Sequence, residues 1–268
     1  EFDMLKHSSE KEAFITHLNY AKCLNSLVLG CSIGNSGSLE LLEVPLVDGK
    51  KSLISLTKKS LADEYQIVQI DRDYSYASTS WLPIKGYYLL FNQMLTILYL
   101  LTGKENAFSL RHTDCMDKFT RMLEQRSLGF NNDLLNQVFN KNIFNFHEAP
   151  GANLSLRTSV EKLFQMAMKK VALYKLEDWK RMKNLRTESG RKQKARYLQD
   201  FKISVFEFPY YMRIRSNYKD FVFIEKVSTW DTKEYFETYY SFIVNFNIAL
   251  ENLKKMLFNQ RVGGISDI

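Results

Sequence analysis

The chain has 268 residues, of which 45% are apolar and 14% aromatic, and it carries a formal net charge of +7. Its 4 prolines and 11 glycines are too few to punctuate a sandwich or barrel of many short strands, so composition excludes that class and favours long helices joined by few turns. The 3 cysteines, Cys23, Cys31 and Cys115, are unpatterned, which argues against a disulfide scaffold and for a reducing, cytoplasmic setting.

Taken in order, the polar N-terminus EFDMLKHSSEKEAF lacks the apolar core of a signal peptide. Ser9 with Glu12 forms a capping-box pattern. Phe14, Ile15, Leu18, Ala21, Leu24 and Leu27 then recur at helical spacing up to Gly30 or Gly34, and GNSGS follows as a loop. ELLEVPLV and SLISLT flank Asp48-Gly49, a dipeptide that favours a tight turn, and the first expectation is a short β-hairpin with a short helix as the alternative. A helix is expected over Ser60–Ile70.

Trp81–Gly103 is the most apolar run and reads as the central buried helix. Pro83 is expected in its first turn, Ser78 or Ser80 as its cap and Gly103 as its stop. Lys85, Asn92 and Gln93 interrupt the run, and burying them in hydrocarbon would cost several kcal/mol each, so a membrane span is not expected. RHTDCMDKFTRMLEQ reads as the next helix, with Cys115 or Met116, Phe119, Met122 and Leu123 inward, and Leu134–Phe139 as a brief one. HEAPGAN is a loop. Leu156, Val160, Leu163, Phe164, Ala167, Val171 and Tyr174 then mark a helix reaching past Trp179. Tyr235, Tyr239, Phe242, Phe246, Ala249, Leu253 and Leu257 alternate steps of three and four along a last helix, and VGGISDI is expected to fray.

The aromatic pair Tyr87-Tyr88 with Phe91, followed by Ser109, His112 and Phe119, and then by Arg213, Asn217 and Tyr218 in MRIRSNYKD, resembles in order the motifs of the HEPN superfamily (higher eukaryotes and prokaryotes nucleotide-binding). That resemblance implies an all-α up-and-down bundle that tends to dimerise, often through its last helices. It also implies a place in a bacterial toxin–antitoxin, anti-phage or similar conflict system. Many such proteins are metal-independent RNases with an Arg followed four to six residues later by His. Here the His position after Arg213 falls on Tyr218 or Lys219, and a phenol titrating near pH 10 is a poor base at neutral pH. The usual pair is therefore missing, and the basic insertion over about 155–198 has no counterpart in the compact members.

Lys180–Arg196 is the first candidate site. It holds eight bases, Lys180, Arg181, Lys183, Arg186, Arg191, Lys192, Lys194 and Arg196, against the single acid Glu188. Clustered bases attract phosphate backbones, and Trp179 and Tyr197 at its ends are placed to stack on nucleobases; the alternative is a solvated helix face. The second candidate is Arg213, Arg215, Asn217, Tyr218, Lys219 and Asp220, either a phosphate-holding group or a polar network pinning the last two helices. His112-x-x-Cys115 has His and Cys one turn apart but no second ligand pair, so no metal and no cofactor is expected. His147-Glu148, Glu43 with Asp48-Gly-Lys50, and GNSGS are weaker still as acid–base, nuclease or phosphate-loop signals.

The sequence thus predicts a mostly α protein. An N-terminal extension over 1–63 precedes an HEPN-like bundle over 64–268. Its expected function is to associate with RNA or DNA through the basic insertion, with a homodimer partner or a cognate protein. The alternatives are a ribonuclease with a displaced site built from Arg213, Tyr218 and His112, or a structural helical adaptor.

Overall fold

The computed structural model describes residues 2–34, 48–146, 159–181, 187–217 and 229–263. These form helices α1 (Phe2–Val28), α2 (Asp48–Ile70), α3 (Arg72–Thr102), α4 (His112–Glu124), α5 (Val160–Arg181), α6 (Glu188–Gln199), α7 (Glu207–Asn217) and α8 (Thr229–Gly263). Two short antiparallel pairs tie loops together: β1 (Ile33–Gly34) with β2 (Gly129–Phe130), and β3 (Phe139–Asn140) with β4 (Lys202–Ile203). The mostly α class read from composition is the class observed.

The bundle is built on α3 and α8. Every residue from Leu89 to Leu100 is buried, so α3 is covered on all sides, as a helix without a polar face must be. It packs on α8, α2 and α7, while α1 lies on α8. The polar residues that argued against a membrane span are satisfied inside the protein. Lys85 Nζ meets Glu64 at 2.7 Å, and Asn92 Nδ2 donates to the Tyr88 carbonyl at 2.7 Å. The Gln93 amide donates to Asn247 at 2.9 Å and accepts from Lys254 Nζ at 3.0 Å. Among the described residues no helix is long and apolar enough to cross a membrane.

Gly103 ends α3 as expected: it adopts φ +66° and its N–H returns to the Tyr99 carbonyl at 2.8 Å. Four expectations are corrected. Asp48-Gly49 opens α2 instead of turning a hairpin, so SLISLT is helical, while ELLEVPLV lies outside the described residues. The central helix begins at Arg72, which puts Pro83 and Ser78 in its interior, and Asp71 accepts from the Tyr74 N–H (3.4 Å) as its N-terminal cap. Leu134–Phe139 is a turn leading into β3, where Phe139 pairs with Ile203 of β4, instead of a helix.

The fourth correction concerns the aromatic stripe on α8, which reads as core or dimer interface and which the resemblance would set between the last helices of two copies. Tyr235, Tyr239, Phe242, Phe246, Ala249, Leu253 and Leu257 are each at most 1% exposed within the single chain. The stripe is the monomer's own core, so it is not available as a dimer face.

Gly86 of α3 faces Ile243 of α8 at close range. A Cβ there would lie 2.8 Å from Ile243 Cγ1 and 3.2 Å from Cγ2, atoms fixed by a stiff β-branched side chain. Gly86→Val is therefore expected to cost about 2–3 kcal/mol, read as a lower urea midpoint. Ile243→Ala in the same chain should return part of that loss, giving clear non-additivity. Strictly additive losses would show that this contact does not set the helix spacing.

Candidate active site

Three helices bring one group of side chains together at the surface. Tyr87 and Tyr88 are neighbours on α3, so their rings diverge: Tyr87 is fully buried and Tyr88 is 41% exposed. Phe91, one turn on, stacks under Tyr87 with centroids 5.6 Å apart and holds the His112 ring at 4.3 Å. His112 is the first residue of α4, following Arg111 in extended conformation. From α7, Tyr210 and Arg213 share a helix face and close the group.

The polar contacts are specific. Tyr87 Oη lies 2.6 Å from His112 Nδ1. Arg213 Nη1 donates to Tyr88 Oη at 3.2 Å and lies 3.5 Å from His112 Nε2. A guanidinium only donates, so Nε2 is the accepting nitrogen and Nδ1 carries the hydrogen that Tyr87 Oη accepts. The Arg213 carbon Cζ sits 5.2, 5.3 and 5.5 Å from the ring centres of Tyr87, Tyr88 and Tyr210, which hold the cation by its attraction to their faces.

Burial, and then the adjacent Arg213 charge, hold the His112 pKa below its ordinary value of 6.5. Burial likewise pushes the Tyr87 phenol above its ordinary range. At neutral pH the guanidinium of Arg213 therefore faces a neutral imidazole and the protonated phenols of Tyr87 and Tyr210. Arg213 Nε is buried without a hydrogen-bond partner, and among the described residues no carboxylate neutralises Arg213. Arg215 two positions on is the contrast. It is 6% exposed, paired with Glu177 at 2.6 Å and stacked over Tyr174 at 4.0 Å, so it pins α7 to α5. Arg215 thus ties α7 to α5 and not to the last helix, and among the described residues Arg213 has no carboxylate partner.

Of the sequence candidates, the structure brings Arg213 and His112 together; Tyr218, Lys219 and Asp220 lie outside the described residues. Ser109 is turned away, donating to the Asn106 carbonyl at 2.9 Å. Cys115 is fully buried, which pushes its thiol up to about 12. Among the described residues no three His, Cys, Asp or Glu side chains gather into a metal site. Tyr210 was missed as a site residue. Its signal was a second Tyr-Tyr pair three residues before Arg213, on the same helical face.

The basic stretch divides between the end of α5 and α6, and Lys183 and Arg186 lie outside the described residues. On the described part Lys180, Arg191, Lys192 and Arg196 are exposed and Lys194 is half-buried. Arg181 ends α5. Lys192 is tied to Glu188 at 2.8 Å on the same helix. Thr187 caps α6 by accepting from the Gly190 N–H at 3.1 Å. Trp179 and Tyr197, the expected base-stacking residues, stack on one another at 4.5 Å and 10°.

Family models, curated proteins and solved structures were compared with the chain, and none of the three matches it.

Proposed function

We propose that the chain is a metal-independent ribonuclease acting at His112 and Arg213, with the exposed bases of α6 attracting the RNA strand. The observation that carries this reading is the contact between Arg213 Nη1 and His112 Nε2, 3.5 Å apart although 101 positions separate them in sequence. On this reading the missing Arg-x4–6-His pair is replaced by a pair from two different helices, in a divergent HEPN-like protein.

A phosphodiester entering between the two groups exchanges their long N···N contact for contacts to itself. His112 Nε2, kept neutral by burial and by Arg213, takes the proton of the ribose 2′-hydroxyl. The 2′-oxygen then bonds to phosphorus while the P–O5′ bond breaks, leaving a 2′,3′-cyclic phosphate and a 5′-hydroxyl. Arg213 carries the charge that accumulates on the non-bridging oxygens, since no carboxylate among the described residues cancels it. Tyr88 accepts from Arg213 with its oxygen and keeps its own hydrogen, which can pass to the departing O5′ and be replaced from water. Tyr87 holds the imidazole tautomer and is a positioning residue.

The test is incubation of labelled single-stranded RNA, and of DNA of the same sequence, with EDTA present. RNA should be cut to cyclic-phosphate ends and DNA, lacking the 2′-hydroxyl, should not. Cleavage of both, or loss of RNA cleavage in EDTA, would overturn the mechanism. Salt-sensitive RNA binding without cleavage would leave a silent binder through α6, the reading favoured by its exposed bases. Neither binding nor cleavage would leave a structural adaptor.

The pH profile follows from the same geometry. Only neutral His112 accepts a proton, and its pKa lies below 6.5, so the rate should hold constant as pH falls from 8 to about 6.5 and drop only below that. An acid limb centred above 6.5 would exclude His112 as the base.

A further inference from the structure

A second site lies beyond the His112–Arg213 group. Between α4, α5 and α6 the surface opens into a cleft of about 720 Å³, within the size range of pockets that hold small ligands. Its aromatic wall is the Trp179–Tyr197 pair, rings nearly parallel and braced by Phe201, which meets Tyr197 edge-on at 5.8 Å. A ring pair already stacked offers a third ring an outer face without further ordering, which is how aromatic platforms take nucleobases of any identity.

The charges of the cleft divide into committed and free. Lys175 Nζ is held by the Lys202 carbonyl at 2.9 Å and by Asp117 and the buried Glu207 at 3.4 Å each. Lys202 Nζ is held by both oxygens of Glu124 at 2.6 Å. Arg121 on α4 and Arg196 on α6 line the same cleft and are exposed, and their guanidinium groups form no ion pair or hydrogen bond among the described residues. With Asp117 engaged by Lys175, Asp200 is the remaining acid of the lining. Two uncommitted guanidiniums beside a stacked aromatic wall match a ligand that joins a flat ring to an anion.

We infer that the cleft between α4, α5 and α6 binds a nucleotide unit, its base stacking on Trp179–Tyr197 and its phosphate held by Arg121 and Arg196. The unit is either a free nucleotide or one residue of a strand. The site extends the ribonuclease reading to a strand-holding subsite, and its test does not depend on cleavage.

The experiment follows Trp179 fluorescence during titration with adenosine 5′-monophosphate and, separately, with a 2′-O-methylated oligoribonucleotide, which attack by a 2′-oxygen cannot cut. Saturable quenching is expected. Quenching by the mononucleotide identifies a site for the free unit; quenching by the oligonucleotide alone identifies a strand subsite. The exposed pair Arg121→Ala/Arg196→Ala should weaken the dissociation constant about tenfold or more and flatten its salt dependence. Quenching by neither ligand overturns the inference. So does quenching that survives in Trp179→Phe, or an affinity unchanged in the double arginine variant. Loss of cleavage in the unmodified RNA assay would instead count against the His112–Arg213 site.

Discussion

Replacing His112 by Ala is expected to lower RNA cleavage about 10²–10⁴-fold, the usual contribution of a positioned general base. Arg213→Ala should lower it about 10²–10³-fold by removing the charge that stabilises the pentacovalent phosphate. Both side chains are only half-buried, so the fold should survive, which an unchanged far-ultraviolet circular dichroism spectrum would check. Arg213→Lys tests the geometry. It keeps a charge but loses the flat fork that bonds Tyr88 while lying among three rings, so activity should remain well below that of the unaltered protein. Tyr87→Phe removes the acceptor on His112 Nδ1 and should lower the rate while moving the acid limb of the pH profile, a change that a packing defect alone would not produce. Cleavage at the unaltered rate in either alanine variant would remove that residue from the mechanism. Equal loss of rate and of helical signal would return Arg213 to a structural role.

Glu207→Ala should lower stability strongly, by about 3 kcal/mol or more by urea unfolding. Glu207 is 1% exposed. Its carboxyl accepts from the Ser204 N–H at 2.8 Å, the Ser204 hydroxyl at 2.9 Å, Thr120 Oγ1 at 3.4 Å and Lys175 at 3.4 Å. Alanine would leave the buried Ser204 N–H without its acceptor and remove the shared carboxyl from Lys175, Thr120 and the Ser204 hydroxyl, where α4, α5, β4 and α7 meet beneath the cleft lined by Thr120 and Lys175. Burial raises the Glu207 pKa despite Lys175 and the Ser204 donors, so the folded state prefers the protonated acid more than the unfolded chain does. Its contribution to stability is then complete below the unfolded value near 4.3 and declines as pH rises through the folded value. Glu207→Gln keeps the shape without the titration and should flatten that part of the stability–pH curve. A stability loss below 1 kcal/mol in Glu207→Ala would mean that water replaces the carboxyl and that the network is not closed.

The two sites differ in how far they could be read from local sequence. Trp179 and Tyr197 stand out by their position flanking the basic stretch, and both line one cleft, yet only the tertiary placement of α6 beside α5 decides that they face each other. His112 and Arg213 are joined at the level of sequence only by the order of the resembling motifs, as the displaced site with Tyr218. No spacing rule joins residues 101 positions apart, and their meeting depends on α4 and α7 both packing beside the Tyr87-Tyr88 turn of α3.

What the sequence determined by itself was the class, the buried run ending at Gly103, and the stripe from Tyr235 to Leu257. Each is a local matter of composition, periodicity or a residue that tolerates positive φ. Tertiary structure decided what covers the stripe, because periodicity says which face leaves water and not what meets it. It decided that Asp48-Gly49 begins a helix, since a turn-favouring pair weighs about a kcal/mol against the packing of α2 on α3. And it decided that among the described residues Arg213 has no carboxylate partner while Arg215 does, because α5 offers Glu177 to Arg215 whereas three tyrosines and a histidine surround Arg213.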